Sequence, residues 1–101
     1  MTQLKANRRV TVNNEEGLHA RPAELFVRRA GQFEAKIQII KGGERVDGKS
    51  ILEILTLAAA KGTTLEIEAI GADADVALET LAKLIETGFA DVKTMDQEQA
   101  G

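Results

Sequence analysis

The chain has 101 residues, room for one domain with one modest core, and its lack of Cys and single His leave neither a disulfide framework nor a cluster of metal ligands. A formal net charge of −3, with three Phe and no Trp or Tyr, argues against a nucleic-acid surface, which rewards a basic face and stacking aromatics; the expected partners are proteins and the expected core is aliphatic. The opening MTQLKANRR lacks the apolar run of a signal peptide, and no window approaches the roughly 20 apolar residues of a membrane span, so a soluble cytoplasmic protein without membrane insertion or cofactor is expected.

Arg8 to Asn13 alternates, with Val10 and Val12 on one face, and is predicted as the first strand, followed by a turn through Asn14, Glu15, Glu16 and Gly17. Beyond the turn Ala20, Ala23, Phe26, Val27 and Ala30 fall at helical spacing, and Gly31 stands where a helix commonly ends in the left-handed conformation. Phe33, Ala35, Ile37 and Ile39 alternate with polar residues in a second strand, which turns at Gly42-Gly43 and returns as a short third strand over Glu44 to Asp47. Ser50 to Ala60 reads as a short second helix with Ile51, Ile54, Leu55 and Ala58 as its apolar stripe, closed by Gly62. Leu65, Ile67 and Ala69 mark a fourth strand; Ala74, Ala77, Leu78, Leu81, Leu84 and Ile85 mark a longer helix, capped by Asp73 or Asp75 and ending near Gly88. The order βαββαβα predicts an α+β two-layer domain over residues 8–88, one sheet covered on one face by helices. Residues 1–7 and 89–101 lack apolar periodicity and are predicted as mobile tails.

The segment Gly17-Leu18-His19-Ala20-Arg21-Pro22-Ala23 joins the first strand to the first helix and sets the single His at or beside the helix N-cap. The first N–H groups of a helix have no intrahelical acceptor, so the backbone of Ala20 and Arg21 is placed to donate to an anion held at His19. Pro22 stiffens the first turn without losing a helical hydrogen bond, and Arg21 brings a permanent cation able to pair with phosphoryl oxygens. A lone His at a strand-to-helix junction is ordinarily a cap or a surface residue; these neighbours are what make His19 a candidate nucleophile.

The run GLHARPA, the order of elements and the later Lys49-Ser50-Ile51 resemble the histidine-containing phosphocarrier (HPr) family of the bacterial phosphoenolpyruvate-dependent sugar phosphotransferase system, over residues from about 8 to 88. The resemblance implies an open-faced sandwich of four antiparallel strands covered by three helices. It implies that His19 is phosphorylated through Nδ1 by enzyme I and passes the group to sugar-specific enzyme IIA components, with Arg21 as the phosphate-neighbouring arginine. Such a protein is a shuttle rather than an independent enzyme, and having to show His19 to successive partners it is expected to be a monomer. A relative that signals by binding, without a role in sugar transport, carries the same motif.

In many members of that family the serine matching Ser50 is phosphorylated by a dedicated serine kinase/phosphorylase, which makes Ser50 a candidate regulatory site. Ser50-Ile51-Leu52-Glu53 is also a capping box, which explains the serine by structure alone, and Glu53 replaces a glycine common in the family with a carboxylate that repels phosphate. Leu52 and Leu55 stand where the family often has partner-contacting methionines, and Arg28 is a candidate for docking acidic partners. Residues 43–50 formally match the P-loop pattern G-x-x-x-x-G-K-[ST], with Lys49 as its lysine, but Glu44 and Asp47 oppose phosphate and the chain is short for a parallel sheet with crossover helices.

Overall fold

The computed structural model describes residues 4–90 and contains seven elements: β1 (Lys5–Thr11), α1 (Ala20–Ala30), β2 (Lys36–Lys41), β3 (Glu44–Asp47), α2 (Ile51–Thr56), β4 (Thr64–Ile70) and α3 (Ala74–Glu86). The strands form one antiparallel sheet in the order β1-β4-β2-β3, so β4, last in the chain, lies between β1 and β2. Alternation decides which face is covered: Val10, Ile37, Ile39, Leu65, Ile67 and Ala69 are buried under the helices, while Arg9, Gln38 and Glu66 lie on the other face. The architecture is the α+β open-faced sandwich expected from the residues, with three helices on one side of four strands.

The core is mainly aliphatic, but two of the three Phe, Phe26 of α1 and Phe89 beyond α3, are fully buried within it. Full burial of each such side chain stabilises the fold by roughly 1.5–3 kcal/mol. Phe89 corrects the expectation that the tail begins at residue 89: the chain turns at Gly88 (φ +66°) and tucks the ring inward. At the other end β1 begins at Lys5, three residues before the predicted start, because Lys5, Ala6 and Asn7 continue the register opposite Ile70, Ala69 and Glu68. Leu4 O and Ala90 N are also hydrogen-bonded, to Gly71 N and Thr87 O, while the remaining residues expected to be mobile, 1–3 and 91–101, lie outside the described residues.

Other boundaries move for reasons that involve distant residues. β2 starts at Lys36 rather than Phe33 because the N–H groups of Glu34 and Ala35 donate to the Asp73 carboxylate at 2.9 and 2.8 Å instead of entering the sheet. Asp73 is the N-cap residue of α3, yet its side chain makes no bond to that helix. Gly31 ends α1 with φ −66°, in the right-handed rather than the left-handed region, its N–H donating to Val27 O. Gly42 and Gly43 do take positive φ, +54° and +90°, as the tight turn joining β2 to β3 requires.

α2 is the largest revision. It spans six residues instead of the eleven of Ser50 to Ala60, and of its expected stripe only Ile54 is buried; Ile51 and Leu55 are exposed. The helix does not continue because Ala58 takes φ +50°, with Leu57 before it and Ala59 after it buried in the core. The P-loop alternative fails here as well: 44–47 is a strand in an antiparallel sheet, and Lys49 Nζ donates to Phe33 O at 2.7 Å.

Candidate functional site

His19 is the N-cap residue of α1, with extended backbone (φ −80°, ψ −173°) and an exposed side chain that makes no cap bond. Its carbonyl accepts the first helical bond, from Ala23 N at 2.9 Å. Ala20 and Arg21 precede that bond, so their N–H groups emerge at the end of the helix beside the imidazole. The first turn holds no acidic residue, so no carboxylate of the helix competes for that partial positive charge. Pro22 and Ala23 are buried and anchor the turn to the core, leaving His19, Ala20 and Arg21 on the surface.

The Arg21 guanidinium meets the Glu24 carboxylate at 3.0 Å, and both side chains are about half exposed. An exposed pair of this kind is worth about 0–1 kcal/mol, so its geometry is easily exchanged for a better anion. Beside His19 lies a shallow hollow of about 520 Å³ lined by Leu18, Ala20, Leu55 and the loop Ala58–Ala60, with Glu16 at its rim. Leu55 reaches this hollow; Leu52 is 78 % exposed on α2 and is absent from its lining. Both leucines are therefore available to a partner, while Ile54 supplies the helix with its core contact.

Ser50 lies at the start of α2, where its Oγ accepts from Glu53 N at 3.2 Å. The predicted capping box is half formed. The Glu53 carboxylate accepts from Asp47 N at 2.9 Å rather than from Ser50 N, which donates to Asp47 O instead. Ser50 is thus engaged in holding the β3–α2 junction, and a carboxylate stands one turn away.

In the sequence Asn14 reads as a turn residue only. The structure buries it to 5 % exposure, and it exchanges two bonds with Gly17: Gly17 N donates to Asn14 O at 3.0 Å and Asn14 Nδ2 donates to Gly17 O at 2.7 Å. Gly17 needs its left-handed φ of +68°, and the Ala59 carbonyl stands where any Cβ would be. The next residue, Leu18, donates its N–H to that same Ala59 O at 2.8 Å. No local pattern in the sequence pairs residue 17 with residue 59; the Asn and Gly at the two ends of the turn were the available signal. Among the described residues no group of three or more His, Cys, Asp or Glu could hold a metal ion. Nor is any helix there long and apolar enough to cross a membrane.

Fold and site define a small α+β open-faced sandwich that presents one exposed histidine at the N-cap of its first helix. The chain matches the family model PTS-HPr, described as the PTS HPr component phosphorylation site, over residues 6–87, and it belongs to that family of phosphocarrier proteins. It is 42 % identical over 82 residues to phosphocarrier protein HPr of Neisseria meningitidis, covering 81 % of this chain and 92 % of that one. Phosphocarrier protein NPr of Shewanella violacea is 37 % identical over 89 residues, covering 88 % and 96 %. The crystal structure of HPr-C-His from Thermoanaerobacter tengcongensis superposes with a TM-score of 0.82 at 36 % identity, over 84 % of this chain and 96 % of that one.

Proposed function

We propose that this protein accepts a phosphoryl group on His19 from the phosphohistidine of enzyme I and delivers it to enzyme IIA components of a phosphotransferase system. The observation that carries the reading is the exposed, uncapped His19 at an acid-free helix N-terminus, within a chain of the phosphocarrier family. A ring nitrogen of His19, Nδ1 by the family resemblance, attacks the donor's phosphorus. The new N–P bond forms as the donor's N–P bond breaks, and the donor imidazole leaves with that electron pair. The N–H groups of Ala20 and Arg21 stand to receive the phosphoryl oxygens, and Arg21 turns from Glu24 toward the charge that spreads over them. Leu55 and Leu52 offer apolar contact to the docked partner, and the carrier works as a monomer so that each partner in turn reaches His19.

Incubation with enzyme I, magnesium and labelled phosphoenolpyruvate tests this directly. Acid-labile, base-stable label is expected on the wild-type chain and absent from His19→Ala; label retained by that variant removes His19 from the mechanism. The NPr relative supports a second reading, a carrier serving regulation rather than sugar uptake. It predicts a chain that is labelled by enzyme I and yet passes nothing to sugar-specific enzyme IIA components.

For Ser50 the geometry supports a cap over a modification site, because a phosphate there would displace the bond to Glu53 N and meet the Glu53 carboxylate. A serine kinase of the family is expected to label this chain more slowly than an authentic substrate and to gain on Glu53→Gln; equal labelling of both chains would leave Ser50 open as a regulatory site.

A further inference from the structure

Asn14 lies five residues before His19 and touches no surface a partner can reach. The residue is only 5 % exposed, and its Oδ1 is buried with no hydrogen-bond partner among the described residues. Leaving a polar atom in that condition costs about 1–3 kcal/mol, so stability alone favours a small apolar residue at this position. What the amide does supply is the 2.7 Å bond from Nδ2 to Gly17 O, closing the 14–17 turn on a second side. A buried polar atom left unsatisfied in a native fold calls for an explanation, and a role in holding functional geometry is one.

The turn so closed is gripped from both flanks. On one side Asn14 lies against Gly88, where an added Cβ would stand 3.6 Å from its own Cβ, and Phe89 follows into the core. On the other side Gly17 abuts the Ala59 carbonyl and Leu18 N donates to it, with Ala58 held at φ +50° just before. His19 is the next residue after this grip, and its side chain makes no cap bond to fix it. We infer that Asn14 is a positioning residue for phosphoryl transfer, holding through Gly17 and Leu18 the backbone that aims the His19 imidazole. The inference rests on His19 being the phosphoryl acceptor.

The test measures kcat and KM for the carrier in enzyme I-catalysed phosphorylation, comparing wild type with Asn14→Ala. Removing the side chain deletes the unpartnered Oδ1 together with the Gly17 bond, so the fold is expected to survive. A loss of aim lowers kcat about tenfold, since misplacement of a reacting group by less than 1 Å has effects of that order, and leaves KM within about twofold. A merely structural role acts differently: a smaller folded fraction raises the apparent KM and leaves kcat alone. Wild-type kcat in Asn14→Ala overturns the inference. Should that variant fail to fold, Asn14→Ser, which keeps a small polar side chain, is read in the same way, lowered kcat at unchanged KM supporting the inference and wild-type kcat overturning it. Failure of the wild-type chain to accept label would instead strike the proposed function, so the two failures are distinguishable.

Discussion

Helices α1 and α2 both begin from a residue in extended conformation, His19 and Ser50, yet their first turns are finished in opposite ways. At α2 the N-cap hydroxyl accepts from Glu53 N, and the same residue brings a carboxylate into the first turn, so the helix supplies its own oxygen and its own negative charge. At α1 the N-cap side chain makes no such bond, no acid enters the first turn, and Arg21 stands beside the opening. One entrance is closed by local chemistry and the other is left for an anion from outside. Two helix starts of like backbone geometry thus differ in whether their first N–H groups meet an oxygen of the helix's own.

The largest effects are expected at the open end. His19→Ala is expected to abolish phosphoryl acceptance while leaving the thermal midpoint nearly unchanged, because the side chain caps nothing; enzyme I labelling and a melting curve read the two effects separately. Arg21→Ala is expected to slow transfer about tenfold or more, the loss of one charge-assisted contact to the transferring group, with stability within about 0.5 kcal/mol of wild type since its Glu24 pair is exposed. Stopped-flow transfer from phosphorylated enzyme I measures the rate, and an unchanged rate would reduce Arg21 to a surface charge.

At the closed end the expected effects reverse. Ser50→Ala removes a cap and is expected to cost about 1 kcal/mol, a fall of about 4–8 °C in the thermal midpoint for a domain of this size, with phosphoryl transfer unaffected. A drop in transfer without a drop in stability would contradict the division drawn between the two helices. The smallest effect concerns the third helix start, where Asp73 directs its carboxylate to another segment. The N–H of Glu34, with that of Ala35, holds the Asp73 carboxyl below its ordinary pKa. Its contribution to stability is therefore present above the unfolded value of about 4 and is lost as pH falls through the lower folded value. Acid titration of the thermal midpoint is expected to show a fall in that window that Asp73→Asn lacks.

Much of this protein was legible without coordinates because its information is local. Strand alternation in Val10, Ile37, Ile39, Leu65 and Ile67, the helical spacing of Ala74 to Ile85 and the Gly42-Gly43 turn each depend on near neighbours, and each was recovered in place. The placement of His19 at the start of α1 followed in the same way, from the strand before it and the Ala20–Ala30 periodicity after it. The elements differ from their local pattern where a residue's natural local partner is replaced by a distant one. Asp73 looked like a cap and instead bonds Glu34 and Ala35; Phe33 and Ala35 looked like strand and were drawn off by that bond. Ala58 looked helical, but its loop is held against the turn before His19.

The element order, the covered face of the sheet and the place of His19 at the start of α1 thus follow from the amino-acid order alone, since period, turn propensity and motif are written in consecutive residues. What holds the backbone just before His19 depends on the tertiary structure. The bonds from Leu18 N to Ala59 O and from Asn14 to Gly17, and the packing of Gly88 against Asn14, bring together segments up to 74 residues apart in the chain. Such contacts form only when the sheet has set β1 beside β4 and α3 has closed over both, so nothing in any short stretch of sequence specifies them.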